Sequence, residues 1–232
     1  MVASVLSSAR DRSDPPAGKG TAEAPPRAPP GVTRTTGGAG DNGPVGTGTG
    51  GSCCPAMTAV QEQVAAAAGA LARQQARVDA LVSTAVAGDG WTARLSAADR
   101  ARLVGQGHFP AYAAELDWTP REVAGHLRDS ALVFTERVYR VRREERPVLP
   151  DFVTDAPERL AGYRATAPVQ LVEQLRAAQA ALFEAVASVP PAELTRAGVH
   201  EVDGPVTLAD LLAFLPDHQR DHAEQLAALL GR

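Results

Sequence analysis

The chain has 232 residues and a formal charge of −4 at pH 7, so its composition does not supply the basic surface that nucleic-acid binding needs. Its two cysteines, Cys53 and Cys54, are adjacent, which excludes a disulfide framework and leaves too few thiolates for a cysteine-based zinc site. No apolar run approaches the ~20 residues of a membrane span, and the first residues make a poor signal peptide. A cytoplasmic protein is therefore expected.

Residues 1–57 are predicted to form a disordered tail. Within them, positions 1–56 hold 11 of the 21 glycines and 8 of the 18 prolines. Such a segment cannot bury enough apolar surface to offset its chain entropy. Residues 58–232 are long enough for one well-formed core, so we expect a single folded domain there.

Apolar residues at helical spacing predict a first long helix over 58–87, which Gly-Asp-Gly ends. A second long helix is predicted over 119–145. It opens on a threonine N-cap, followed by Pro120 in the first helical position and by Glu122 as partner in a capping box. Between these two helices, residues 96–104 show the pattern of a short helix.

A third long helix is predicted over 169–189, after a proline-rich linker that contains a short helix near 158–164. A fourth is predicted over 207–230, with Pro216 expected to bend it. Residues 199–205 show the composition of a turn, and no segment has a convincing strand pattern. The prediction is an all-α fold: a four-helix bundle with long connections.

Three of the five histidines fall on the inward faces of these helices: His126, His218 and His222. His218 and His222 are four residues apart, which places their Cβ atoms about 5–6 Å from each other on one helix face. An unpartnered imidazole in an apolar stripe costs on the order of 1–3 kcal/mol, and a shared divalent ion would remove that cost. Hydrogen-bonded core histidines remain the alternative.

Solvent exposure is the favoured prediction for other polar residues near these positions: Asp217 and Asp221 beside the paired histidines, His108 and His200 in loops, and Arg137 on a charged outer face. The alternatives are that the two acids orient the imidazoles and that His200 reaches the mouth of the bundle. Trp118 is predicted to close one end of the bundle.

Two stretches resemble the DinB-like superfamily of small metal-binding helical bundles. Residues 117–127 (DWTPREVAGHL) resemble its Trp-Ser/Thr-x-x-Glu-x-x-x-His-Leu signature. Residues 204–226 resemble its closing pattern, a Thr-Leu helix start followed by His-x-x-x-His-x-x-Gln. The resemblance covers about residues 58–232 and leaves the tail out.

The resemblance implies an antiparallel bundle in an up-down-down-up arrangement, with one divalent metal ion held by His126, His218 and His222. Members are known with zinc, nickel, iron or manganese. Several use the site for transfer reactions with a low-molecular-weight thiol such as mycothiol or bacillithiol, and mycothiol-dependent maleylpyruvate isomerase is a neighbouring case. A metal-dependent thiol S-transferase or isomerase is therefore expected, with a small thiol and a small electrophile as partners; a homodimer is a further expectation.

Two other functions stay open at this stage. The bundle could be non-catalytic, with a structural metal or a small ligand bound for storage or sensing. The histidines could instead be polar core residues without a metal. A fourth protein ligand that closes the coordination sphere would favour the structural alternative.

Overall fold

The computed structural model describes residues 55–88, 90–109 and 112–232. The predicted disordered tail lies outside these residues except for 55–57, which belong to the first helix. That helix begins at Pro55, three residues earlier than the sequence pattern predicts.

The described residues form six α-helices: α1 (Pro55–Ala87), α2 (Ala97–Gly105), α3 (Pro120–Arg143), α4 (Pro157–Ala165), α5 (Pro168–Ala187) and α6 (Leu208–Leu229). Helices α1, α3, α5 and α6 are the four long helices that the sequence predicts, and α2 and α4 are the two short ones. Single-turn 3-10 helices lie in the connections, at Gly90–Thr92, Ala113–Asp117 and Pro191–Glu193.

The helix starts follow the predicted cap chemistry. At α3, the Thr119 amide donates to Glu122 Oε2 at 2.8 Å, and the Glu122 amide donates back to Thr119 Oγ1. The same reciprocal pair, Thr207 with Asp210, begins α6. Each box satisfies amides that the helix itself cannot. Helix α6 runs through Pro216, and the bend expected there stays a prediction.

The direction of the helices follows from two apolar clusters, one toward each end of the bundle. One joins the later halves of α1 and α6 to the earlier halves of α3 and α5, through residues such as Val82, Leu226, Leu127 and Leu175. The other joins the opposite halves, through residues such as Leu71, Leu211, Val138 and Leu182. Helices α1 and α6 therefore run one way and α3 and α5 the other, which is the up-down-down-up arrangement.

A small three-stranded sheet corrects the expectation that no segment forms a strand. Strand β1 (Val148–Leu149) pairs in parallel with β2 (Ala197–His200), and β2 pairs antiparallel with β3 (Gly204–Thr207). The segment 199–205, predicted as a turn, supplies most of this hairpin. The strands are two to four residues long and contain glycine and proline, so they show no alternation that a sequence pattern could reveal.

Candidate metal centre

Two helices bring the three predicted histidines to one point inside the bundle. His126 lies in the second turn of α3, and His218 and His222 lie one turn apart on α6. All three are buried, with at most 4% of their surface exposed. The Nε2 atoms of His126 and His218 are 3.0 Å apart, and the ring centroids of His126 and His222 are 4.8 Å apart.

Glu115 completes the group, and sequence reasoning missed it. It lies on the 3-10 helix Ala113–Asp117 and is also buried. Its Oε2 is 3.3 Å from His222 Nε2 and 4.0 Å from His126 Nε2. One ligand atom from each of the four residues falls within 4.8 Å of the others. A single acid in an irregular connection has no periodicity that could mark it, because only the folded chain brings it to the histidines.

These residues fit a divalent metal ion. Within the described part of the chain, His222 Nε2 and both carboxylate oxygens of Glu115 are buried without a hydrogen-bond partner. Burial, followed by the neighbouring imidazoles, holds the pKa of His126 and His218 well below the usual value, so both rings are neutral at pH 7. Three imidazoles and one carboxylate form a donor set that suits zinc, iron, nickel or manganese.

Aromatic rings surround the imidazoles. Trp118 stacks on His222 with an interplanar angle of 8°, so it lines the site; that it closes the bundle end stays a prediction. Phe152 and Phe214 stack against His126 and His218, respectively. Trp118 is buried, whereas Phe152 and Phe214 are half-buried. Aromatic rings therefore border all three imidazoles, and two of these rings, Phe152 and Phe214, are partly exposed.

Asp221 is buried, which corrects the prediction that it faces solvent. It lies beside His222, and its carboxylate accepts hydrogen bonds from the Phe109 amide at 3.1 Å and from the Tyr112 hydroxyl at 2.8 Å. His108 Nδ1 lies 2.8 Å from Oδ1, so His108 is not the exposed loop residue that was predicted. Burial alone would raise the pKa of Asp221, but these hydrogen bonds hold it below its usual range.

The residue that was predicted correctly is Asp217, whose side chain is 68% exposed. It lies four residues before Asp221 and pairs with Arg220 at the helix surface. The two acids share a helix, but Phe109 and Tyr112 contact only one of them, Asp221. Sequence spacing could not show which face of α6 these two residues would contact.

His200 and Arg137 also lie inside the protein, so the predictions of an exposed loop histidine and an outer-face arginine are wrong. Arg137 Nη2 donates to the Pro150 carbonyl at 2.6 Å and lies 3.0 Å from His200 Nε2. His200 Nδ1 is 2.9 Å from a carboxylate oxygen of Asp203. Burial, and then the Arg137 charge, lower the pKa of His200. The small sheet, which the sequence analysis did not foresee, buries this face of α3.

In the described part of the chain, the helices are all too short or too polar to cross a membrane.

A family model described as the DinB superfamily matches residues 106–226, which include all four residues of the candidate site. A search of curated proteins gave no match.

Among solved structures, the fold is similar to YfiT from Bacillus subtilis, described as a probable metal-dependent hydrolase with an unusual four-helix bundle topology. The TM-score is 0.58 and the sequence identity 19%, over 74% of this chain and 87% of YfiT. At this identity, the likeness concerns the fold.

Proposed function

The chain belongs to the DinB superfamily, and from that premise we propose that it is a divalent-metal-dependent enzyme that transfers a low-molecular-weight thiol, of the mycothiol type, to a small electrophile. The observation that carries the proposal is the buried group of three imidazoles and one carboxylate, whose ligand atoms lie within 4.8 Å of one another. Small thiols are kept reduced inside cells, so the proposed setting is the cytoplasm.

His126, His218 and His222 would hold the ion through their ring nitrogens. An imidazole coordinates as an uncharged ring, so the three histidines would leave the full double charge of the ion in place. When bound, the ion would supply Lewis-acid chemistry that lowers the pKa of a coordinating thiol or water. Residues of this chain would carry out the proton transfer and select the electrophile.

Glu115 would accept the proton of the thiol. Both of its carboxylate oxygens lack a hydrogen-bond partner within the described residues, and Oε2 lies 3.3 Å from His222 Nε2. The S–H bond breaks as the proton passes to the carboxylate, and the sulfur pair then forms a bond to the electrophilic carbon. The leaving group departs with its electron pair and takes up the proton. A base has to lie within hydrogen-bond reach of the proton that it takes, and Glu115 lies beside the imidazoles that would hold the ion.

Phe152 and Phe214 would select the electrophile. They are the half-buried rings that contact the imidazoles, whereas Trp118 is buried. A substrate that passes them meets two apolar faces, which favours an uncharged or aromatic electrophile over a strongly hydrated ion.

The presence of Glu115 also supports a second candidate, a non-catalytic protein. If its carboxylate coordinates the ion together with the three histidines, the sphere has four protein ligands, as in structural zinc sites. The ion would then stabilise the bundle by joining α3, α6 and the 3-10 helix, or the site would serve to bind a small ligand. Hydrolysis is a variant of the enzymatic proposal in which water replaces the thiol, in line with the description of YfiT.

The first experiment is elemental analysis by mass spectrometry of protein purified without a His-tag or chelator. We expect about one equivalent of a transition metal in the wild type and its loss in His126→Ala. His200→Ala is the matched control, because it removes a buried imidazole that lies outside the ligand group. Absence of metal from the wild type, even after reconstitution, would overturn the proposal.

Glu115→Gln then separates the two candidates. If Glu115 is a base, the variant keeps its metal and melting temperature but loses thiol consumption with a panel of electrophiles. If Glu115 closes a structural site, the variant binds metal more weakly and melts at a lower temperature, and the wild type consumes neither thiol nor ester substrates.

A further inference from the structure

We propose that Gln225 is a positioning residue for the metal centre. One end of its carboxamide fixes the tautomer of His222, and the other end fixes the turn that carries Glu115. The inference rests on the metal site of the proposed function but not on thiol chemistry. Gln225 lies on α6, three residues after His222, and is completely buried.

The amide is hydrogen-bonded at both ends. Gln225 Nε2 donates to the backbone carbonyl of Glu115 at 2.7 Å, and Gln225 Oε1 lies 3.0 Å from His222 Nδ1. A backbone carbonyl can only accept, so the NH₂ end of the amide must face Glu115. The oxygen end then faces His222, and because that oxygen can only accept, His222 Nδ1 must carry a hydrogen.

A neutral imidazole has one N–H group, so this assignment leaves His222 Nε2 with a lone pair. Nε2 is the atom that faces the candidate site, 3.3 Å from Glu115 Oε2. In the other tautomer, Nε2 would carry a hydrogen and could donate it to the Glu115 carboxylate. That bond would occupy both a ligand nitrogen and a carboxylate oxygen. Gln225 therefore keeps the two groups from pairing with each other and leaves both for a cation.

The second end of the amide holds a short element in place. The 3-10 helix that carries Glu115 has five residues, and Tyr112, which precedes it in the N-cap position, gives no side-chain cap. The Glu115 carbonyl accepts from the Trp118 amide within the turn and from Gln225 across to α6. The carboxamide of Gln225 thus links His222 on α6 to the 3-10 helix that carries Glu115.

Helix α6 contains a matched control. Gln219 is also buried, with 1% of its surface exposed, and its Oε1 accepts from Gln179 on α5. Substitution of Gln219 by leucine removes a buried amide from the same helix without removing the partner of His222. Comparison of the two glutamines separates a specific effect on the site from the general cost of losing a buried hydrogen bond.

The test uses the full chain, labelled with ¹⁵N and freed of metal with a chelator. Long-range ¹H–¹⁵N correlation spectra distinguish protonated from unprotonated ring nitrogens, and zinc affinity is measured by competition with a chromophoric chelator. We expect protonated Nδ1 in His222 of the wild type. In Gln225→Leu, the Nε2–H tautomer should appear and zinc affinity should fall about 10–100-fold. Gln225→Glu keeps an acceptor for Nδ1 and should retain the tautomer.

Gln219→Leu should lower the melting temperature without changing the tautomer or the zinc affinity. A wild-type His222 protonated at Nε2 would overturn the inference, even if Gln225→Leu failed to fold. The inference also fails if Gln225→Leu behaves like Gln219→Leu in all three measurements. A wild type with the expected tautomer but no thiol-transfer activity would count against the proposed function and leave the role of Gln225 standing.

Discussion

Gly125 on α3 and Tyr163 on α4 approach so closely that the glycine has no room for a side chain. A Cβ atom on Gly125 would lie 2.8 Å from Cδ2 of the Tyr163 ring and closer still to Cγ and Cδ1. Tyr163 is buried, and its hydroxyl donates to Asp129 at 2.9 Å, which fixes the ring in place. Through this contact, α4 packs closely against α3, the helix that carries His126.

Gly125→Ala should therefore destabilise the protein by about 1–3 kcal/mol, the usual cost of overpacking a rigid site. Gly162→Ala is the matched control: it lies in α4 itself, and a Cβ there meets nothing within 4 Å among the described residues. That variant should be neutral or more stable by up to about 1 kcal/mol, because alanine favours helix more than glycine does. Urea unfolding of both variants checks this, and equal stabilities would contradict the close packing of α4.

The sequence predicts the four long helices because their apolar stripes and cap residues are local signals. Thr119 with Glu122 and Thr207 with Asp210 form the capping boxes that their spacing indicates. His218 and His222 share a face for the same local reason. The approach of His126 to these two residues is not local, because it depends on which helices become neighbours. Spacing alone could not predict it, and the expectation that the three histidines share one site came from the family resemblance.

The sequence pattern could not predict the contacts that the segments between the long helices make. Glu115, Phe152 and His200 belong to a short 3-10 helix, a loop and a very short strand, where neither period 3.6 nor period 2 can be recognised. Their burial depends on how the connections fold back over α3 and α6. The same folding buries Arg137 and Asp221, two charged residues whose residue type alone predicts exposure.

Arg137→Met should cost about 3–5 kcal/mol of unfolding free energy. The change removes the guanidinium that donates to the Pro150 carbonyl and contacts His200. The nearby carboxylates of Asp151 and Asp203 also lose the positive charge of Arg137. Chemical denaturation provides the measurement. Arg140→Met on the same helix is the control, since Arg140 forms an exposed i,i+4 pair with Glu144 and should change stability by less than about 0.5 kcal/mol. Similar losses in the two variants would argue against a buried Arg137.

Glu122 should make stability depend on pH in the acid range. Burial acts to raise its pKa, but hydrogen bonds from Thr119 and Arg164 outweigh it and lower the pKa below the usual value. A carboxylate with a lowered pKa in the folded state stabilises the protein above its unfolded-state pKa, about 4.3, and this contribution is lost as the pH falls toward the folded-state value.

The measurement is urea unfolding of metal-free wild type and Glu122→Gln between pH 7 and pH 3. Near pH 7, the variant should be less stable by about 1 kcal/mol, because the capping box is weakened. The difference should shrink as the pH falls below about 4.3. Glu62→Gln, an exposed position on α1, should follow the wild type throughout. A difference between wild type and Glu122→Gln that stays constant with pH would contradict the assignment.

Asp221→Asn should loosen Phe109 and Tyr112, whose rings contact His222 on α6. The carboxylate accepts at both oxygens, from His108 and Arg220 at Oδ1 and from the Phe109 amide and the Tyr112 hydroxyl at Oδ2. Asparagine replaces one oxygen with a donor, so in either orientation two donors would face its NH₂ group. We expect a loss of about 1–3 kcal/mol.

Phe109 gives this prediction a local readout, because its φ of 58° lies in the left-handed region, which a bulky residue adopts only when its surroundings hold it there. Hydrogen exchange at the Phe109 amide should accelerate in Asp221→Asn, since its acceptor is lost or reoriented. Asp217→Asn, whose side chain is 68% exposed on the same helix, should leave both the exchange rate and the unfolding free energy nearly unchanged. If the Phe109 amide exchanges as slowly in Asp221→Asn as in Asp217→Asn, a contact other than Asp221 holds Phe109 against His222.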